Sequence, residues 1–124
     1  MMQFENAVQL RRELHALAEL SGHEIKTSQY IAEKLRSAGY EPQTNVGGYG
    51  VVAVLSGARP GPVIMLRADT DALPFPDEDH PGETVAIHAC GHDAHAAMLL
   101  SLALYMKSAE PLECGEIRFV FQPA

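Results

Sequence analysis

Two β-branched runs, Val51-Val52-Ala53-Val54-Leu55 and Val63-Ile64-Met65-Leu66, commit this chain to a β-sheet. Each is strand-sized, far short of the ~18 apolar residues that a membrane-spanning helix needs, so no membrane association is expected. The separator, Ser56-Gly57-Ala58-Arg59-Pro60-Gly61-Pro62, is turn chemistry, and both runs are expected to be buried strands. A third strand is expected at the end of the chain. There Ile117, Phe119 and Phe121 alternate with Arg118, Val120 and Gln122.

Helical patterns surround these strands. From Phe4 to Leu20 the apolar residues Phe4, Ala7, Val8, Leu14, Leu17 and Ala18 recur near the helical period. Ser21-Gly22-His23-Glu24 has the form of a capping box, with Ser21 opening a second helix and Glu24 reaching back. That helix carries Ile31, Leu35 and Ala38 and is expected to stop at Gly39, suited to the left-handed position past a helix end. A third helix, marked by Ala94, Ala97, Met98, Ser101, Leu102 and Tyr105, has a small-residue face that lets it lie close to a sheet. Pro76, Asp77, Glu78, Asp79, Pro81 and Glu83 make residues 75–87 an acidic loop, read as a solvated face with a lid role open. Helices and strands in this order predict a three-layer α/β domain spanning residues 1–124.

Composition narrows the partners. The formal charge of −7 argues against nucleic acid, which selects basic faces. The N-terminus lacks a basic segment followed by an apolar stretch, so no signal peptide is expected. Cys90 and Cys114, at unrelated positions, do not form a disulfide framework, and a cytoplasmic setting is expected.

The chemistry concentrates in His88-Ala89-Cys90-Gly91-His92-Asp93-Ala94-His95, which holds half of the six histidines and one of the two cysteines. A turn before a helix can aim Cys90 and His92 into one cavity, and a helix N-terminus favours thiolate. Thiolate with imidazole suits zinc and borderline divalent ions. Asp71 can receive the N–H of a ligating histidine, and Asp93 and His95 can do similar orienting work. Taken alone, Asp69 and Asp71 read as strand-end turn residues, His15 as solvated or satisfied, and Cys114 as a free thiol in a turn. Cys90 could instead be a nucleophile paired with His92 or His95. In open α/β sheets sites gather beyond the carboxyl ends of strands. Asp69-Thr70-Asp71, the segment opening the third helix and Gln122-Pro123-Ala124 are therefore expected to converge on one edge.

Leu66-Arg67-Ala68-Asp69-Thr70-Asp71-Ala72-Leu73-Pro74 and the His88–His95 segment resemble the metal-dependent amidohydrolases of the aminoacylase and carboxypeptidase superfamily. The nearest branch holds hippurate hydrolases, N-acyl-amino-acid amidohydrolases and indole-acetyl-amino-acid hydrolases. Arg118 to Ala124, Leu10-Arg11-Arg12-Glu13-Leu14-His15 and Glu19-Leu20-Ser21 are similar to the same branch, so the resemblance spans the chain. Ala18 stands where that branch usually has proline, and the acidic loop is unusual for it.

The resemblance implies the N-terminal part of a three-layer αβα, zinc-exopeptidase-like catalytic domain, without the lid or dimerisation domain. It implies hydrolysis of the amide bond of an N-acyl amino acid or dipeptide-like substrate at a two-metal site, zinc or manganese. Cys90 and His92 would be ligands, Asp71 the supporting catalytic acid, and Asp69, Asp93 and His95 would stand behind them. The family's general-base glutamate, its neighbouring ligand and two later histidines fall beyond residue 124. The expectation is a truncated chain, inactive alone, that self-associates through an exposed last strand. Two other classes remain open: a non-catalytic interaction or complementation module, and a small structural zinc protein using Cys90, His92, His95 and Cys114.

Overall fold

The structure is a computed structural model that describes residues 2–89, 91–109 and 111–123, with side chains from residue 7 onward. Helices α1 (Met2–Ala16) and α2 (Ile25–Ser37) come first, followed by strands β1 (Gln43–Val46), β2 (Gly50–Ser56) and β3 (Arg59–Asp69). A small hairpin of β4 (Leu73–Pro76) and β5 (Thr84–Ile87) then leads to α3 (His92–Ser108) and β6 (Cys114–Gln122). No helix among the described residues is long and apolar enough to cross a membrane.

The main sheet has the order β1-β2-β6-β3. Strand β6 pairs antiparallel with β2, Ala53 opposite Phe119, and parallel with β3, Leu66 opposite Phe119. Ile117, Phe119 and Phe121 project from one face of β6 into the core, where Phe119 and Phe121 are almost fully buried. Leu10 and Leu14 of α1, Ile31 and Leu35 of α2, and Ala96, Leu100 and Ala103 of α3 join the same core. The alternation Ile-Arg-Phe-Val-Phe thus does what a one-sided strand requires: its odd positions meet the helices. Sheet and one helical layer are what the described residues supply of the αβα arrangement.

Four local expectations are corrected. The last strand is not an exposed edge, because both of its sides are hydrogen-bonded, to β2 and to β3. The edges are β1 and β3 instead, and the run on β3 is not buried: Val63, Ile64 and Met65 are 53–64% exposed. Residues 75–87 are not one loop, since Leu73 to Pro76 pair with Thr84 to Ile87. On α3, Ala97 and Ser101 are buried as expected, whereas Met98, Leu102 and Tyr105 face outward and the neighbouring Ala96, Leu100 and Ala103 pack inward.

The capping box is also replaced. Helix α2 begins after Glu24 with no side-chain cap from its own flank. Its third N–H, at Thr27, donates instead to the Glu19 carboxylate at 2.7 Å, and the Thr27 hydroxyl donates to the same oxygen at 2.9 Å. The other end behaves as expected. Gly39 takes φ +104°, its N–H meets the Arg36 carbonyl, and the Tyr40 N–H meets that of Leu35. This is the paired closure of a Schellman motif.

Candidate metal centre

The parallel pair β3 and β6 ends with Asp69 opposite Gln122, and the Thr70 N–H extends the pairing by donating to the Gln122 carbonyl at 3.0 Å. Two residues on, the Ala72 N–H donates to the Glu19 carbonyl at 2.7 Å. The backbone between these two anchors is Asp71, held over the edge of the sheet. Helix α3 starts beside it: Gly91 takes φ +95°, a left-handed conformation that turns the chain into the helix, and His92 is the first helical residue. Strand end, helix start and Gln122 therefore meet on one edge, as the strand order requires.

His92 is the centre of the arrangement. Its Nδ1 donates to the Asp71 carboxylate at 2.9 Å and lies 3.0 Å from the Asp71 carbonyl. Two oxygens at Nδ1 fix the proton there, so Nε2 carries the lone pair. Nε2 faces Oδ2 of Asp69 across 3.7 Å, too long for a hydrogen bond. The other oxygen of Asp69 accepts from Arg67, at 3.0 and 3.3 Å. A neutral imidazole nitrogen and a carboxylate oxygen, both electron-pair donors, thus face a common space. That donor set fits a divalent cation, and His92 and Asp71 have the relationship of a ligand and its orienting carboxylate.

Cys90, the other expected ligand, lies outside the described residues. His95 sits one turn along α3 from His92, exposed, with the two rings 6.4 Å apart, too far for one to orient the other by contact. Asp93 points away from His92 into the protein and is buried. Its carboxylate accepts from His15 Nδ1 at 2.9 Å, with Arg11 Nε at 3.5 Å. Sequence reasoning missed these two residues of α1 because nothing local to them signals a partner on α3. His88 is buried beside His15, ring centroids 6.3 Å apart, and neither of its nitrogens meets a hydrogen-bond partner among the described residues. Burial, the largest influence, pushes its pKa down and favours the neutral ring.

Cys114 opens β6, at the end opposite Gln122. Eight strand steps of ~3.3 Å separate those ends, about 26 Å, so Cys114 cannot share an ion with His92. A second cluster occupies the exposed β4–β5 loop. Ligand atoms of Asp77, His80 and Glu83 lie within 4.8 Å of one another, and His80 Nδ1 is already paired with Asp77 at 2.9 Å.

Sheet order, helix placement and the edge cluster together define an α/β protein with a candidate metal centre at the carboxyl ends of its strands. The sequence profile of the Peptidase family M20/M25/M40 matches residues 65–124. The chain is 43% identical to thermostable carboxypeptidase 1 of Saccharolobus solfataricus, over 94% of this chain and 31% of that protein. It is 44% identical to an N-acyl-L-amino acid amidohydrolase of Geobacillus stearothermophilus, over 92% of this chain and 32% of that one. Among solved structures it is similar to the Bacillus subtilis YXEP protein, a dinuclear metal-binding peptidase of the M20 family. The TM-score is 0.83 and the identity 35%, covering 99% of this chain and 36% of that one. The chain thus spans about a third of the length of these relatives.

Proposed function

We propose that residues 1–124 supply one wall of a divalent-metal site that hydrolyses the amide bond of N-acyl amino acids. The observation that carries this reading is the anchored imidazole of His92, with its free nitrogen turned toward Asp69 at the sheet edge. Similarity to a named N-acyl-L-amino acid amidohydrolase and to a dinuclear metal-binding peptidase supports the substrate class and the number of ions. His92 and Cys90 would hold the metal, zinc or manganese, with Asp69 beside it. A bound ion of this kind polarises a carbonyl and brings the pKa of water to about 7.

The chain's own residues do the positioning. Asp71 keeps the His92 proton on Nδ1, so the ring offers its lone pair to the site in one orientation. Arg67 holds one oxygen of Asp69 and leaves the other facing His92. A cytoplasmic, reducing setting would keep Cys90 a free thiol. Neither an interaction module nor a structural zinc protein draws support from a particular contact.

Metal titration followed by equilibrium dialysis tests the reading. Uptake of zinc or manganese should depend on His92, and Asp71→Asn should weaken it by about 10- to 100-fold, the usual effect of removing an orienting carboxylate. Uptake indifferent to His92→Ala would overturn the assignment. Two protein ligands are fewer than the three or four of an ordinary zinc site, so binding should be weak. For the same reason these 124 residues alone should not turn over N-acetyl or N-benzoyl amino acids. Turnover that vanishes in His92→Ala would show instead that the donors present here suffice.

A further inference from the structure

We propose that His15 and Arg11 of α1 are positioning residues for the metal site, acting through Asp93 to set the rotation of α3 about its axis. This rests on the metal reading of His92. Adjacent residues on a helix are ~100° apart around the axis, so whatever fixes Asp93 fixes the direction of His92 as well. Asp93 is fixed twice. His15 Nδ1 donates to its Oδ2 at 2.9 Å, and the Arg11 guanidinium stands 3.5 Å from the same oxygen. The Asp93 side chain is 4% exposed, while those of His15 and Arg11 are 45% and 47% exposed.

Packing alone would not supply this constraint. Helices α1 and α3 also meet through Leu10, Leu14, Ala96 and Leu100, all members of the core. Apolar contact is non-directional and tolerates a small rotation, whereas a hydrogen bond to one carboxylate oxygen does not. The pairing of buried Asp93 with half-exposed His15 and Arg11 therefore specifies one rotation where the apolar contact leaves several. It does so at the first turn of α3, immediately beside His92, where a carboxylate is also favoured by the helix dipole. On the other side of His92 the Asp71 carboxylate accepts at 2.9 Å. A rotation that lost Asp93 from α1 would carry His92 off that acceptor.

Cobalt(II) provides the test, because its visible bands report ligand geometry and its thiolate charge-transfer band reports Cys90. The whole 124-residue chain is titrated as wild type, His15→Phe, His15→Asn and His92→Ala, with circular dichroism and thermal midpoints measured in parallel. Wild type should bind cobalt in a His92-dependent way. His15→Phe should bind about tenfold more weakly with shifted bands, as expected when an outer partner of a ligand is lost. His15→Asn, which keeps a donor near the Nδ1 position, should recover most of the affinity. A His15→Phe chain that melts earlier yet binds with unchanged affinity and spectrum would make the pair merely structural and overturn the proposal. Should His15→Phe fail to fold, Arg11→Gln makes the same comparison: severalfold weaker binding is expected, and unchanged binding overturns it. Absence of His92-dependent cobalt binding in wild type would instead remove the metal reading and this inference with it.

Discussion

Tyr40 illustrates how a single buried polar atom ties the sheet layer to the helices. It is 4% exposed, its ring meets Phe119 edge-on with centroids 6.1 Å apart, and its hydroxyl donates to the Ala103 carbonyl on α3 at 2.7 Å. Burial pushes its pKa from 10 up to about 12. The unfolded chain releases this proton near pH 10 while the folded chain holds it. The native state therefore binds more protons between pH 10 and 12, and stability falls as pH rises through that window. Tyr30 acts in the same direction, raised first by burial and then by its hydrogen bond to Glu13. Tyr40→Phe should lose about 1 kcal/mol near neutrality, the net value of one hydrogen bond. It should also flatten part of the alkaline slope, as urea midpoints across pH 8–12 will measure. The aromatic character of Tyr40 is plain in the sequence, but its acceptor on α3 is not, because that acceptor is a main-chain atom remote along the chain.

At the scale of elements, the two ends of α2 differ in what sets them. Its C-terminal closure is local, since a left-handed glycine directly after the last turn suffices, and Gly39 could be read from the sequence. Its N-terminal closure comes from Glu19, outside the helix and earlier along the chain than any capping pattern looks. Ser21-Gly22-His23-Glu24 matched the pattern without making the bond. The same Glu19 contributes its carbonyl to Ala72, so one residue both starts α2 and steadies the backbone that carries Asp71. Glu19→Ala should cost roughly 1 kcal/mol, the value of a lost helix cap. Glu19→Gln, which keeps an acceptor, should cost less. Chemical denaturation of the two variants checks the order, and wild-type stability in Glu19→Ala would remove the cap assignment.

Across the whole molecule, the chain's apolar patterning announced a sheet with helices but not the order of its strands. Val63-Ile64-Met65-Leu66 is uniformly apolar as text and Ile117 to Phe121 is interrupted by Arg118, yet the first lies in an edge strand and the second in an inner one. Strand position is decided by pairing between residues remote in sequence, which periodicity does not encode. The site was legible for a different reason. His92 and Asp71 are unusual residue types in short segments, and the rule placing such segments at carboxyl strand ends needs no knowledge of the full order. The contrast in strand position is measurable. Phe119→Ala should cost about 3–5 kcal/mol as a core truncation. Met65→Asp, at a position 64% exposed, should stay within about 0.5 kcal/mol of wild type.

The central place of β6 also governs when the sheet can exist at all. Val51 must wait for Phe121 and Leu66 for Phe119, so neither flanking strand pairs with β6 until that later segment has been synthesised. Until then a growing chain carries two open strand edges, one on β2 and one on β3, that any passing strand could occupy. Long-range pairing of this kind is slow to form. The inner strand that joins β2 to β3 is thus the one whose arrival after both leaves the growing chain most in need of a chaperone.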